Sequence, residues 1–288
     1  MLFFQYADNT AYTLLANVLA PRKICLWVTS YMKDQMKIAI VKLLGYLLTP
    51  VYLIVFGLLL VIFHPIQAIC RNMWGYSAHK KSVDILNLLI IKSLIILGTK
   101  ITFRYSEKLP KERPIILISN HQSMLDIPPI IWGFRNHHPK FISKIELGKS
   151  IPSISYNLRY GGSILIDRSK WRQAIKEIEK LGKYIEKNNY TASIFPEGTR
   201  TKDGEMNAFK AAGVNALLKA APSALVVPLV IDGNYELMKK GLYPMSFGVK
   251  IKYTVLNPIE PGSLPVEELV MKTENMIRAV LEKPLNQI

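Results

Sequence analysis

The stretch PIILISNHQSMLD, Pro114 to Asp126, decides how this chain is read. Its first six residues, 114–119, form a short isoleucine-rich run bounded by proline on one side and asparagine on the other, which is strand-like. The residues that follow turn polar at once and bring Asn120, His121, Gln122, Ser123 and Asp126 to a strand-to-helix junction. Ligand and catalytic sites of α/β sheets form at such strand ends. A histidine there is exposed and oriented. Asp126, about one helical turn on, is placed to accept a hydrogen bond from one imidazole nitrogen of His121. That fixes the tautomer and leaves the other nitrogen free as a base. Taken alone, the same residues also describe an ordinary helix start, with Asn120 or Ser123 as the cap and Asp126 in the first turn.

Outward from this stretch, short apolar runs alternate with amphipathic ones. The spacing predicts strands at 114–119, 141–143, 163–167, 192–195, 225–231 and 247–256. It predicts helices around 122–133, 170–187, 208–221 and 264–282, with Trp171, Ile175, Ile178 and Leu181 recurring at helical intervals. Alternation of this kind predicts an α/β domain built on a largely parallel central sheet flanked by helices, over 105–288. No internal repeat or low-complexity linker interrupts it.

Before residue 105 the chain is different in kind. Residues 43–63 contain no charge, and 21 residues of helix extend about 32 Å, enough to cross a hydrocarbon core. A second apolar stretch, 85–99, is interrupted by Lys92. Its length suits a re-entrant, interfacial or buried core helix better than an independent span. Lys33, Lys37 and Lys42 precede the first stretch, and Arg71, Lys80 and Lys81 follow it, so the positive-inside rule has no clear vote. Pro50 is expected to bend the first helix toward a hairpin. Residues 36–104 therefore read as a membrane-embedded helical segment. Residues 1–35 read as an extension of uncertain origin: they lack the pattern of a secretory signal, and Met36 opens a run resembling a natural start.

The 288 residues carry 37 Lys+Arg against 21 Asp+Glu, a net charge of +16, and half are hydrophobic. That composition excludes a disordered or collagen-like chain. Residues 1–104 hold 11 of the basic groups and 3 of the acidic ones, a net +8 equal to that of the remaining 184 residues, so net positive charge is densest where the chain is greasiest. Basic flanks around apolar segments favour an anionic membrane over nucleic acid, and no zinc finger or RNA-binding aromatic motif argues otherwise. Cys25 and Cys70 cannot form a disulfide framework, and no Cys/His spacing suggests a metal site. His137 and His138 read as a polar loop; His64 and His79 read as membrane-interface residues.

Two further constellations lie at predicted strand ends. Phe195-Pro196-Glu197-Gly198-Thr199-Arg200 offers a glycine that permits a tight turn and an arginine fork suited to phosphate or carboxylate. Gly162 to Arg168 ends in a charged pair, Asp167 and Arg168. Separately, these are a turn and a surface ion pair.

Together and in this order, the blocks resemble the 1-acylglycerol-3-phosphate acyltransferase family of the glycerolipid acyltransferase superfamily. Its NHxxxxD block is matched by Asn120, His121 and Asp126, and its FPEGTR block by Phe195 to Arg200 at every position. Its Gly-x-x-Phe/Ile-Ile-Asp-Arg block looks like Gly162 to Arg168, with Leu165 where an aromatic residue is frequent. Val227, Pro228 and Ile231 match its last block, and Lys144, Glu146 and Leu147 a Lys-x-Glu-Leu stretch. The resemblance covers about 115 to 235.

The resemblance implies transfer of a fatty acyl group from acyl-CoA or acyl carrier protein to the free hydroxyl of lysophosphatidic acid, giving phosphatidic acid at a membrane, with the catalytic domain on the cytoplasmic face. His121 is then the general base and Asp126 its orienter. The substrate-binding residues are Lys144, Arg168, Glu197, Gly198, Thr199 and Arg200. The three cations face phosphate, the Gly198 and Thr199 amides assist, and Glu197 orders Arg200 or a substrate hydroxyl. Without a G-x-S-x-G elbow, a ternary complex is more economical than an acyl-enzyme. No cofactor, metal or nucleic-acid partner is implied. Acylation of another lysophospholipid or a lyso-aminolipid, or a non-catalytic lipid-binding membrane protein, are the competing readings.

Overall fold

The structure is a computed structural model that describes residues 8–167 and 169–282, with side chains from residue 29 onward. Its strands are β1 (Lys100–Tyr105), β2 (Ile115–Ser119), β3 (Pro139–Lys144), β4 (Ile164–Ile166), β5 (Thr191–Ile194), β6 (Leu225–Asp232) and β7 (Lys250–Val255). The helices are α1 (Asp8–Ser93), α2 (Ile127–Gly133), α3 (Ile154–Tyr160), α4 (Trp171–Asn188), α5 (Ala211–Ala220), α6 (Asn234–Met238) and α7 (Val266–Leu281).

The strands form one sheet in the order β1-β7-β6-β2-β5-β3-β4. From β6 to β4 every neighbour is parallel; β7 runs antiparallel to β6, and β1 parallel to β7. The largely parallel α/β sheet predicted from sequence is therefore present, with a reversed edge of two strands. All five residues of β2 are buried. Alternate side chains of a strand face opposite ways. Ile115 and Leu117 join one core with Tyr52, Leu94 and Leu97 of the front end and Ile130 of α2. Ile116 and Ile118 join a second core with Ile178, Leu181 and Ile185 of α4, Leu217 of α5 and Leu269 of α7. Helices thus cover both faces, which is why a strand in the middle of such a sheet reads as a continuous apolar run.

β1 was not among the predicted strands, and the sheet takes in Lys100–Tyr105, across the point where the sequence pattern changes. It is an edge strand in which no residue is fully buried, so its sequence lacks the apolar density that marks a strand. The short helices α3 and α6 were also not predicted; five to seven residues are too few to show a helical period.

The front end differs from expectation in where it turns. Pro50 lies within α1 with helical backbone around it, and the break falls at Gly75 (φ 76°, ψ −160°). Proline removes one hydrogen bond from a helix, whereas a positive φ ends it, and glycine takes that conformation without a Cβ clash. Leu60 and Phe63 before the break share a buried cluster with Leu86 and Ile90 after it, so the two limbs pack as a hairpin. The second apolar stretch is a core element: Leu86, Ile90, Leu94 and Leu97 are buried. The first limb buries Tyr52 and Leu60 but leaves Val51, Ile54, Leu58, Val61 and Ile62 exposed. Over Thr29–Leu97 this is a helix long and apolar enough to cross a membrane, with little of its most apolar part buried.

Candidate active site

The site is built where β2 and β5 end. Past Ser119 the main chain leaves the sheet, and Asn120 takes over its pairing with β6. The Asn120 side chain donates through Nδ2 to the Ile231 carbonyl and accepts the Ile231 N–H at Oδ1, each at 2.8 Å. This extra rung fixes where His121 begins. The next residues form a short 3-10 turn, Met124–Asp126, closed by a capping box: the Ser123 hydroxyl accepts from Leu125 N at 3.0 Å and Asp126 Oδ2 from Ser123 N at 3.0 Å. Ser123 is therefore the cap that the sequence allowed. The cap and the catalytic pattern use the same carboxylate.

Asp126 Oδ2 also accepts from Gln122 N at 2.7 Å and lies 2.7 Å from His121 Nδ1. Asp126 is wholly buried, while the His121 side chain is 16% exposed. An ionised Asp126 assigns the proton to His121 Nδ1 and leaves the lone pair on Nε2. The ring stacks on Phe195, with centroids 4.0 Å apart and planes 17° from parallel. Backbone amides at Asp126, a fixed tautomer and a stacked ring together make a preorganised base, able to take a proton from a bound hydroxyl.

Glu197 occupies a place that its sequence position did not disclose. Its Oε1 accepts His121 N at 2.6 Å, and its Oε2 accepts both Asn207 N at 2.8 Å and Asn207 Nδ2 at 3.0 Å. Both oxygens thus hold the protein's own chain, in place of Arg200 or a substrate hydroxyl. Burial raises the carboxyl pKa above its ordinary value, opposed by the hydrogen bonds from Asn207 and His121. The Phe195–Gly198 turn is closed by Gly198 N donating to Phe195 O at 3.0 Å, and Thr201 N donates to the His121 carbonyl at 3.0 Å. The FPEGTR segment is fastened to the histidine loop along its length.

The cations expected at the site stand along one edge. Arg200 and Thr199 are exposed after β5, and Lys144 is exposed at the end of β3. β3 and β5 are parallel neighbours, so both emerge at the edge that carries His121. Arg168 lies outside the described residues. From β2 to β3 is two strand steps, about 10 Å, so Arg200 and Lys144 extend away from the histidine. A further cation was not read from the sequence: Lys210 Nζ lies 3.7 Å from where a Cβ on Gly198 would stand. Asn207, Asn234 and Tyr253 were missed too, because nothing in local sequence marks a residue that packs behind a site.

The remaining histidines depart from expectation. His79 is fully buried, and His64 Nδ1 accepts Ser153 N at 3.1 Å; neither is merely an interface residue. His138 is no loose loop: its ring stacks on Tyr190 at 4.5 Å and 6°, and its Nδ1 is 3.0 Å from the Tyr76 hydroxyl.

Residues 100–232, which carry the His–Asp pair beyond a central strand and the fastened FPEGTR turn beside it, match the Acyltransferase family. The chain is 33% identical over 144 residues to a 1-acyl-sn-glycerol-3-phosphate acyltransferase of Chlamydomonas reinhardtii, covering 49% of this chain and 41% of that one. It is 31% identical over 143 residues to the enzyme of the same name from Borreliella burgdorferi, 50% of this chain and 56% of the other. The solved structure of the 1-acyl-sn-glycerophosphate acyltransferase PlsC from Thermotoga maritima superposes with a TM-score of 0.68 at 25% identity, covering 82% of this chain and 94% of that chain. The chain thus resembles 1-acyl-sn-glycerol-3-phosphate acyltransferases over its matched part. It spans about half the length of these two sequence relatives.

Proposed function

We propose that this protein transfers a fatty acyl group from a thioester, acyl-CoA or acyl carrier protein, to the free sn-2 hydroxyl of 1-acylglycerol-3-phosphate, giving phosphatidic acid. The observation that carries the reading is the 2.7 Å contact between His121 Nδ1 and buried Asp126, on a histidine side chain that stays 16% exposed. The names of the relatives supply the acceptor class.

In the reaction, His121 Nε2 takes the acceptor hydroxyl proton as that oxygen bonds to the thioester carbonyl carbon. The imidazolium so formed is stabilised by Asp126, whose charge is held by Gln122 N and Ser123 N. The tetrahedral centre then collapses, the C–S bond breaks, and the leaving thiolate takes the proton back from His121. An alcohol needs a base and a thiolate leaves readily, so one histidine serves both halves without a covalent acyl-enzyme. Glu197 acts on His121 through its main chain rather than touching substrate. Arg200, Lys144 and Lys210 form the anion-binding edge for the acceptor phosphate, with Gly198 and Thr199 in the turn beneath it, and Arg168 is assigned to the same phosphate from sequence alone. The exposed apolar limb of α1 seats the domain at a lipid surface, where acceptor and product reside.

The test is thiol release from acyl-CoA by purified full-length protein in detergent, across lysophosphatidate, other lysophospholipids, a lyso-aminolipid and monoacylglycerol. Release with lysophosphatidate foremost supports the proposal. Preference for another acceptor moves the headgroup assignment, and no release with any acceptor removes the catalytic reading.

A further inference from the structure

We infer that Asn234 is a positioning residue for the His121–Asp126 pair, holding the face of the carboxylate that His121 does not touch. The inference rests on the acyl-transfer reading and extends it to a residue beyond the stretch matched by the family, which ends at 232.

Three observations meet at Asn234. Its Nδ2 donates to Asp126 Oδ1 at 2.6 Å. Asp126 therefore accepts from His121, Gln122 N and Ser123 N at one oxygen and from Asn234 at the other. Asn234 is 1% exposed and its Oδ1 meets no donor, so its hydrogen bonding passes through the Nδ2 that faces Asp126. The amide orientation is fixed by chemistry, since a carboxylate accepts and the nitrogen must face it. The same Nδ2 lies 2.9 Å from the hydroxyl of Tyr253, a fully buried residue of β7.

The main chain of this segment is held from the histidine side. Gln122 Oε1 accepts Asn234 N at 2.8 Å and Tyr235 N at 3.2 Å. The loop after β2 thus grips the backbone of the loop after β6, while the side chain of the second grips the carboxylate of the first. Gly233 makes the approach possible: its φ is 90°, and a Cβ there would stand 2.3 Å from the Lys250 carbonyl. The two strands are neighbours, so the lock spans one step of the sheet.

A carboxylate whose second buried oxygen has lost its donor is freer to rotate, and rotation alters the field at His121. The titratable groups around the pair are His121 itself, Asp126, Glu197 behind the histidine main chain, and Tyr253 behind Asn234. Losing the Asn234 donor leaves the Asp126 charge less compensated, which favours the imidazolium. The acidic limb of the kcat profile then moves to higher pH.

The experiment compares wild type, Asn234→Ala, Asn234→Asp and His121→Ala as full-length proteins, reading kcat and KM for acyl-CoA and lysophosphatidate from pH 5 to 9. Asn234→Ala is expected to lower kcat about 10- to 100-fold, with both KM values within about twofold and the acidic limb displaced upward. Asn234→Asp, nearly isosteric, places a second carboxyl against Asp126. The two share one proton, and its loss adds a descending limb that wild type lacks. A wild-type kcat and an unmoved limb in Asn234→Ala overturn the inference. Should that variant not fold, a wild-type profile for Asn234→Asp overturns it equally. An inactive His121→Ala beside a normal Asn234→Ala defeats the positioning role alone; an active His121→Ala defeats the acyl-transfer reading beneath it.

Discussion

The Glu197 carboxylate receives the main-chain N–H of His121 at 2.6 Å, and through its other oxygen it also binds Asn207. A residue that sequence places next to substrate thereby becomes the bracket that sets the histidine backbone. The carboxylate accepts three hydrogen bonds and donates none, and an amide cannot reproduce that.

Glu197→Gln puts an NH2 group against either the His121 or the Asn207 amide. One buried donor pair is then opposed, at a cost of about 1–3 kcal/mol. We expect a lower melting temperature and a kcat reduced about 10- to 100-fold, with KM for the acceptor little changed. A variant altered only in acceptor KM, at wild-type stability, would return Glu197 to substrate binding.

Arg200 carries a prediction about the acceptor phosphate. Charge-assisted contacts are worth roughly 1.5–3 kcal/mol each, so Arg200→Ala should cut kcat/KM for lysophosphatidate about 10- to 100-fold. Monoacylglycerol, which lacks the phosphate, should lose far less. Arg200→Lys should recover part of the difference, since a point charge does not reproduce the guanidinium fork. Equal losses on both acceptors would move Arg200 to the acyl donor or to the scaffold.

At the opposite end of the sheet, Lys140 is buried at the start of β3, donates to the Tyr76 hydroxyl at 2.6 Å, and lies against the Tyr76 and Tyr190 rings. Burial first, then the charge of Lys80, lowers its pKa to about 7, against a weaker opposing pull from Asp84. Between pH 7 and the ordinary lysine value the unfolded chain binds more protons than the folded one, so stability from this group rises with pH and is lost as pH falls to 7. Lys140→Met should therefore be more stable than wild type at pH 7, by on the order of 3 kcal/mol. The gap should narrow toward pH 10. Thermal unfolding of both proteins at pH 7, 8, 9 and 10 checks this, and a gap that is constant with pH contradicts it.

The part of the fold that carries the site is legible in sequence because it is buried on both faces. β2, β5 and β6 announce themselves as apolar runs, and the blocks that follow β2 and β5 are dense in polar residues with local hydrogen-bonding roles. β1 is illegible for the converse reason, since an edge strand with mostly exposed side chains needs no apolar run. The hairpin of α1 is legible as apolar length but not in its bend, because Gly75 is one glycine among several and Pro50 carries the stronger local signal.

The site divides in the same way. His121 and Asp126 are five residues apart, so their contact is local and can be inferred from spacing. Asn234 reaches Asp126 across a strand crossover, and Tyr253 reaches Asn234 from β7; no local pattern encodes such contacts. Glu197 is visible as a residue yet misleading in role, because an acidic side chain in a turn says nothing of which amides surround it.

The account stands most directly on His121. The measurement is initial thiol release from acyl-CoA with lysophosphatidate as acceptor, wild type against His121→Ala, with folding of both confirmed by thermal unfolding. Removing a positioned base should slow turnover about 10²- to 10⁴-fold while acyl-CoA binding and melting temperature stay close to wild type. A folded His121→Ala protein that releases thiol within a factor of about two of wild type, against that expected loss, would contradict base catalysis by this residue.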